Sequence, residues 1–82
     1  MEEQNNARIY IVDDDSVSAK VMSALLIDSG HTVVSTTDAA SAFDKILDAK
    51  PDCVICEMMM PVVDGLYLCK RIRETPDLAS IR

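Results

Sequence analysis

The chain is predicted to be a three-layer α/β domain in which parallel strands alternate with helices. Three observations point there. Two short apolar runs, at residues 8–12 and 52–56, show no polar alternation, and a third at 31–35 is rich in β-branched residues. Strands covered on both faces read this way. Between the runs lie stretches with apolar residues at helical spacing. Each junction carries a cap, a glycine or a proline. Strand and helix patterns alternating at this spacing imply right-handed crossovers between parallel strands.

The first strand is expected from Arg8 to Val12, and Asp15 or Ser16 is suited to cap the helix that follows. In that helix Val17, Val21, Leu25 and Asp28 share one stripe, widened by Met22 and Leu26, which is expected to face the sheet. Gly30 reads as its stop. The second strand is placed at residues 31–35. Thr37 or Asp38 caps a second helix whose inner face is Ala39, Ala42, Phe43, Ile46 and Leu47. Lys50-Pro51 ends it, because the residue before proline is disfavoured in the α region. The third strand is expected at residues 52–56, a loop at 58–64, and a third helix at 65–74 carrying Leu66, Cys69 and Ile72. Thr75-Pro76-Asp77 breaks that helix.

Residues 1–82 form one domain, with residues 1–7 expected to be a disordered tail, since Met1-Glu-Glu-Gln-Asn-Asn6 is polar and acidic and is no signal peptide. A chain this short buries only about 60–65% of its unfolded surface, so its stability is marginal. The net charge of −6 argues against a nucleic-acid surface, which would need a basic patch. No apolar run approaches the roughly 20 residues that span a bilayer. Cys53, Cys56 and Cys69 are odd in number, which suits reduced thiols and a cytoplasmic location. Cys53 and Cys56 have the spacing of a redox or zinc pair, but in a strand they point to opposite faces. Core packing is the expected role. Met58-Met-Met60 reads as loop or core packing, and His31 as an exposed turn residue.

The chemistry lies at strand ends. The first strand ends in Asp13-Asp14-Asp15 and the third in Glu57. Ligands of open α/β sheets bind beyond the carboxyl ends of the strands, where the strand order reverses. If the two strands are neighbours, their acids meet at one rim. Like charges so close favour a cation among them, and magnesium suits one or two carboxylates with waters completing its shell. Asp15 is better explained as an N-cap.

The acid pair after an apolar strand, with the block Glu57-Met-Met-Met-Pro61-Val-Val-Asp64-Gly65 about forty residues on, resembles the response-regulator receiver domain of two-component signalling. The resemblance covers nearly the whole chain. It implies a flavodoxin-like fold with parallel strand order 2-1-3, incomplete beside a five-stranded receiver. It implies Asp13, Asp14, Glu57 and the Met59 carbonyl as magnesium ligands, and a sensor histidine kinase or another signalling protein as partner. Glu57 stands where the family carries its phosphoacceptor aspartate, so it is expected to be an inactive acceptor or a mimic of the phosphorylated state. Pro61 and Gly65 shape the following loop, and Asp64 is a turn acid. The hydroxyl residue after strand four and the lysine after strand five are expected to lie outside these 82 residues. The third strand would then be an open apolar edge inviting self-association. A signalling module is expected rather than an enzyme.

Two other readings compete. Asp13-Asp-Asp15 also fits the opening of haloacid-dehalogenase-type phosphatases, with Asp13 as nucleophile and Asp15 as acid/base, but leaves the Met-Pro-Val-Val-Asp-Gly block unexplained. A purely structural interaction module would keep the acids without using them.

Overall fold

Residues 8–12 form strand β1 (Arg8–Val12), whose last four side chains are all buried. The computed structural model describes residues 7–57, 65–78 and 80–81. After β1 come helix α1 (Ser16–Asp28), strand β2 (Thr32–Thr36), a 3-10 turn at Ala39–Ser41 running into helix α2 (Ala42–Ala49), strand β3 (Cys53–Cys56), helix α3 (Gly65–Glu74) and a 3-10 turn at Pro76–Leu78. The sheet has the order β2-β1-β3, and both pairings are parallel. Central β1 is flanked on both edges and covered on both faces, and the two covered faces are why its apolar run has no polar alternation.

The two faces of the sheet carry separate cores. Tyr10 and Val12 point to one side and pack with Ala42, Phe43, Ile46, Leu68, Ile72 and Leu78 from α2, α3 and the final turn. Ile9 and Ile11 point to the other side, against Ala19 of α1. Cys56 packs against the first cluster and Cys53 against the second, on opposite faces as strand geometry requires. Both are half-buried, Cys69 is exposed, and among the described residues the thiols form no disulfide.

Helix boundaries follow local chemistry. The Asp15 carboxylate accepts the N–H of Val17 at 3.0 Å and the Ser18 hydroxyl at 3.1 Å, capping α1. At the other end Gly30, with φ 98°, takes the left-handed conformation that a stop requires. Lys50 also sits left-handed, at φ 47°, which ends α2 before Pro51. The Arg8 guanidinium donates to the carbonyls of Ala49 and Lys50, satisfying the last acceptors of α2.

Several expectations are corrected. The Val17-Val21-Leu25 stripe does not face the sheet. It is exposed, and α1 packs through Ala19, Met22 and Leu26. Ala19 is small enough to let the helix backbone lie close to Ile9 and Ile11. In α3 the inward residues are Leu68 and Ile72, whereas Leu66 and Cys69 face out. The second helix begins as a 3-10 turn, where the Asp38 carboxylate accepts the Ser41 hydroxyl at 2.8 Å. His31 is half-buried rather than an exposed turn residue, and its Nδ1 accepts the Ala7 N–H at 3.0 Å. Ala7, grouped above with the tail, also gives its carbonyl to Thr32 N–H. The rest of that tail, residues 1–6, lies outside the described residues.

Candidate functional site

Hydrogen bonds between strand ends gather the acids at one rim. β1 and β3 run in register from Ile9↔Cys53 to Val12↔Cys56, so both chains leave the sheet at the same level. The Glu57 N–H donates to the Val12 carbonyl at 2.9 Å, which fixes the Glu57 backbone beside Asp13. On the other flank Asp13 N–H donates to the Thr36 carbonyl at 3.1 Å. Asp13 thus sits between β2 and β3 at the carboxyl end of the central strand, the position at which open α/β sheets bind ligands.

The side chains diverge more than the backbones. Asp13 is half-buried, and its Oδ1 accepts the Asp15 N–H at 3.0 Å; Asp14 and Glu57 are exposed. Asp15 is turned into the cap of α1. The Val17 N–H, and then Ser18, hold its carboxyl below the ordinary range. Among the described residues, no three acid, cysteine or histidine side chains converge tightly enough to enclose a metal. The rim therefore offers separate oxygen donors rather than a closed cage. Met59, Pro61 and Asp64, expected in the neighbouring loop, lie outside the described residues.

Sequence reasoning missed a polar corner beside this rim. Thr36 Oγ1 accepts the Asp38 N–H at 3.1 Å and the Lys45 ammonium at 3.2 Å, while its carbonyl holds Asp13. The Ser41 hydroxyl, more than the Lys45 charge, keeps the Asp38 carboxyl below its usual range. Thr36 ends β2 and Lys45 lies nine residues on in α2, and no motif marks the pair. A cleft of about 570 Å³, lined in part by Lys50, Asp52, Cys53 and Asp77, lies at the amino ends of the strands. It is far from the acids, and size alone does not make it the site.

A parallel β2-β1-β3 sheet with acids at its carboxyl rim is the architecture of phosphate- and cation-binding α/β modules. Similarity to known proteins narrows it. The response regulator receiver domain family matches residues 9–81, and the chain belongs to that family. It is 37% identical over 70 residues to the response regulator MprA of Mycobacterium sp. (strain KMS), a match covering 85% of this chain and 30% of that protein. The putative response regulator from Chloroflexus aurantiacus J-10-fl is 33% identical, with a TM-score of 0.81 over 88% of this chain and 59% of that one. The response regulator TrrA of Thermotoga maritima, solved in complex with Mg(2+)-BeF, is 27% identical, with a TM-score of 0.78 over 82% of this chain and 58% of that one. The chain thus spans about three-fifths of the solved receivers and under a third of the curated relative it matches. Membership of this family displaces the phosphatase reading, and the bonds from Val17 and Ser18 account for Asp15 as a cap. No described helix is long and apolar enough to cross a membrane.

Proposed function

We propose that this chain is a non-enzymatic signalling module of a two-component phosphorelay. In this reading its acidic rim binds Mg²⁺ through Asp13, Asp14, Glu57 and the Met59 carbonyl, and Glu57 does not accept a phosphoryl group as an aspartate would. One observation carries the reading: the Glu57 N–H bond to Val12 sets this acid beside Asp13 at the rim. From that fixed backbone the glutamate carboxylate extends one carbon–carbon bond further than an aspartate's, about 1.5 Å. Positioning dominates phosphoryl transfer, and misplacement by about 1 Å costs on the order of a hundredfold. The extended carboxylate also carries its charge toward the region a phosphoryl group would fill, which makes it a weak mimic of the phosphorylated state.

The acids supply the hard oxygen donors that magnesium prefers, and the separate placement of their side chains leaves room for its waters. The similar TrrA structure, a Mg(2+)-BeF complex, supports the same ion here. Bound at the rim, the ion would neutralise the acids. The partners in this reading are a sensor histidine kinase or another cytoplasmic signalling protein. The net charge of −6 speaks against nucleic acid or an anionic membrane surface. Among the described strands β3 pairs with β1 alone, and its Cys-Val-Ile-Cys run has no charge or proline to block a further strand. That open edge supports self-association; a monomer by light scattering at high micromolar concentration would count against it.

The test of the acceptor is intact-mass analysis after incubation with a small-molecule phosphodonor and magnesium. Glu57→Asp should gain one phosphoryl group about a hundredfold faster than the unmodified chain. Equal rates would show that the longer side chain is no obstacle.

A further inference from the structure

β2 ends the sheet on the side of β1 opposite to β3. The Thr32 N–H donates to the Ala7 carbonyl, and the Thr36 carbonyl accepts the Asp13 N–H. Thr32, Val34 and Thr36 therefore turn their backbone groups toward β1. By the alternation of a strand, Val33 and Ser35 turn theirs outward. Among the described residues no strand meets them, since β2 pairs with β1 alone. Edge strands are ordinarily blunted by lysine, proline, a bulge or a covering segment. β2 reads Thr-Val-Val-Ser-Thr, without charge or proline, and its register with β1 runs unbroken through all five residues.

Symmetry indicates what covers this edge. Val33 and Ser35 stand one residue to either side of Val34. In an antiparallel pairing about a twofold axis at Val34, Val33 of each copy lies opposite Ser35 of the other. Each of these pairs exchanges two N–H···O bonds. The axis is perpendicular to the sheet, so opposed residues lie on the same face of it. Val34 of the two copies then meet at the axis, and Thr32 of each meets Thr36 of the other, all residue types that suit strands. Val34 shares the face of Tyr10, its neighbour in β1, and is 51% exposed. We propose that the β2 edge is a contact between two copies of this chain, paired antiparallel about Val34 into one continuous sheet.

Each copy carries a charge of −6, yet β2 holds no acid, so the pairing sets no like charges directly opposite one another. α1 packs on Ile9 and Ile11 of central β1, with Val33 of β2 joining that cluster. At about 4.8 Å per strand, the two α1 helices stand roughly 10–14 Å apart, at or beyond the usual packing distance. An extended peptide of unrelated sequence would meet the backbone groups but not the reciprocal valine and threonine pairs. Two strands of five residues make a small interface, so the association is reversible. This edge is separate from the open edge of β3.

Sedimentation velocity on the full chain, between about 10 μM and 1 mM, spans the range for a small interface. Ser35→Pro removes an outward N–H and none that bonds β1, a position at which edge strands tolerate proline. It should keep the circular dichroism of the unmodified chain and weaken association by roughly tenfold or more. Val34→Lys and Val34→Glu each set like charges against each other at the axis, and each should weaken association by roughly tenfold. An equimolar mixture of the two opposes lysine to glutamate and should recover to within about fivefold of the unmodified chain. Recovery on mixing cannot arise from misfolding, and it requires position 34 of one copy to meet position 34 of the other. A monomer throughout the range, or a mixture no stronger than its components, would overturn the proposal. Association unchanged in Ser35→Pro or in the charged variants would also overturn it, while leaving pairing through β3 intact.

Discussion

Adjacent leucines on α1 allow the orientation of that helix to be tested directly. Leu26 packs against the Ile9, Ile11 and Ala19 cluster, whereas Leu25 is 64% exposed. Fully burying a leucine stabilises by about 1.5–3 kcal/mol. Roughly a third of that applies to Leu25, so Leu25→Ala should cost about 0.5–1 kcal/mol, with no cavity behind it. Leu26→Ala removes packed methyls and leaves a gap against the sheet. Full leucine truncations cost about 2–5 kcal/mol, and a partly buried one belongs near the lower end, about 2–3 kcal/mol. The expected difference of about 1.5–2 kcal/mol is more than a tenfold change in the folding equilibrium. Urea unfolding followed by far-ultraviolet circular dichroism, at low micromolar protein to suppress association, reads both values. If Leu25→Ala costs as much as Leu26→Ala, the Val17-Val21-Leu25 stripe faces the sheet. The packing described for α1 would then fail.

Ile46, fully buried at 0% exposure between α2 and the sheet, should cost about 3–4 kcal/mol when cut to alanine, enough to leave so small a domain largely unfolded at 37 °C by calorimetry. The lowered Asp15 carboxyl makes the cap a stabilising contact above the ordinary aspartate range, and its contribution is lost as pH falls through the lowered folded value, in the window below about pH 4. Asp15→Asn should retain the cap and flatten that acid limb, while Asp15→Ala should lower Tm at neutral pH; an unchanged limb in the asparagine variant would refute the assignment. Magnesium at tenfold over its Kd should stabilise by about 1.4 kcal/mol through mass action, raising Tm by roughly 6–11 °C. Asp13→Asn should abolish the rise, and an equal rise with sodium at matched ionic strength would show screening rather than a site.

The strands were legible because their physics is simple. β1 and β3 lie where apolar residues run without alternation, and the acids that end them mark where the chain leaves the sheet. The same acids made the rim legible, since Asp13 and Glu57 follow paired residues Val12 and Cys56. Helix faces were harder. In α1 Val17, Val21 and Leu25 compete with Met22 and Leu26, and the residue that decides is Ala19, whose small side chain permits close approach yet adds little to any apolar stripe. In α3 Leu66 and Leu68 are equally apolar, and only the position of Phe43 and Ile72 in the assembled core selects Leu68. The Thr36–Lys45 contact bridges nine residues of loop and helix, and no local pattern encodes it.

The misread face of α1 has a cause in the sheet beneath it. The α2 and α3 side of the sheet gathers Tyr10, Val12, Phe43, Ile46, Leu68, Ile72, Leu78 and Ile81 into a continuous buried cluster. Among the described residues the α1 side buries Ile9, Ile11 and Ala19, with Cys53 and Ile55 of β3 half-covered. A helix stripe predicts its inner face reliably only where the sheet beneath is wide enough to cover the whole stripe. On the α1 side three strands give α1 a narrow seat, so a small residue makes the closest contact and the larger apolar residues are left over. The exposed strip on α1 and the half-covered residues of β3 are two consequences of that narrow seat. The acid rim is positioned by backbone bonds at the strand ends and does not depend on either. Perturbing the outer face of α1 should therefore leave the affinity of the rim for its cation unaltered.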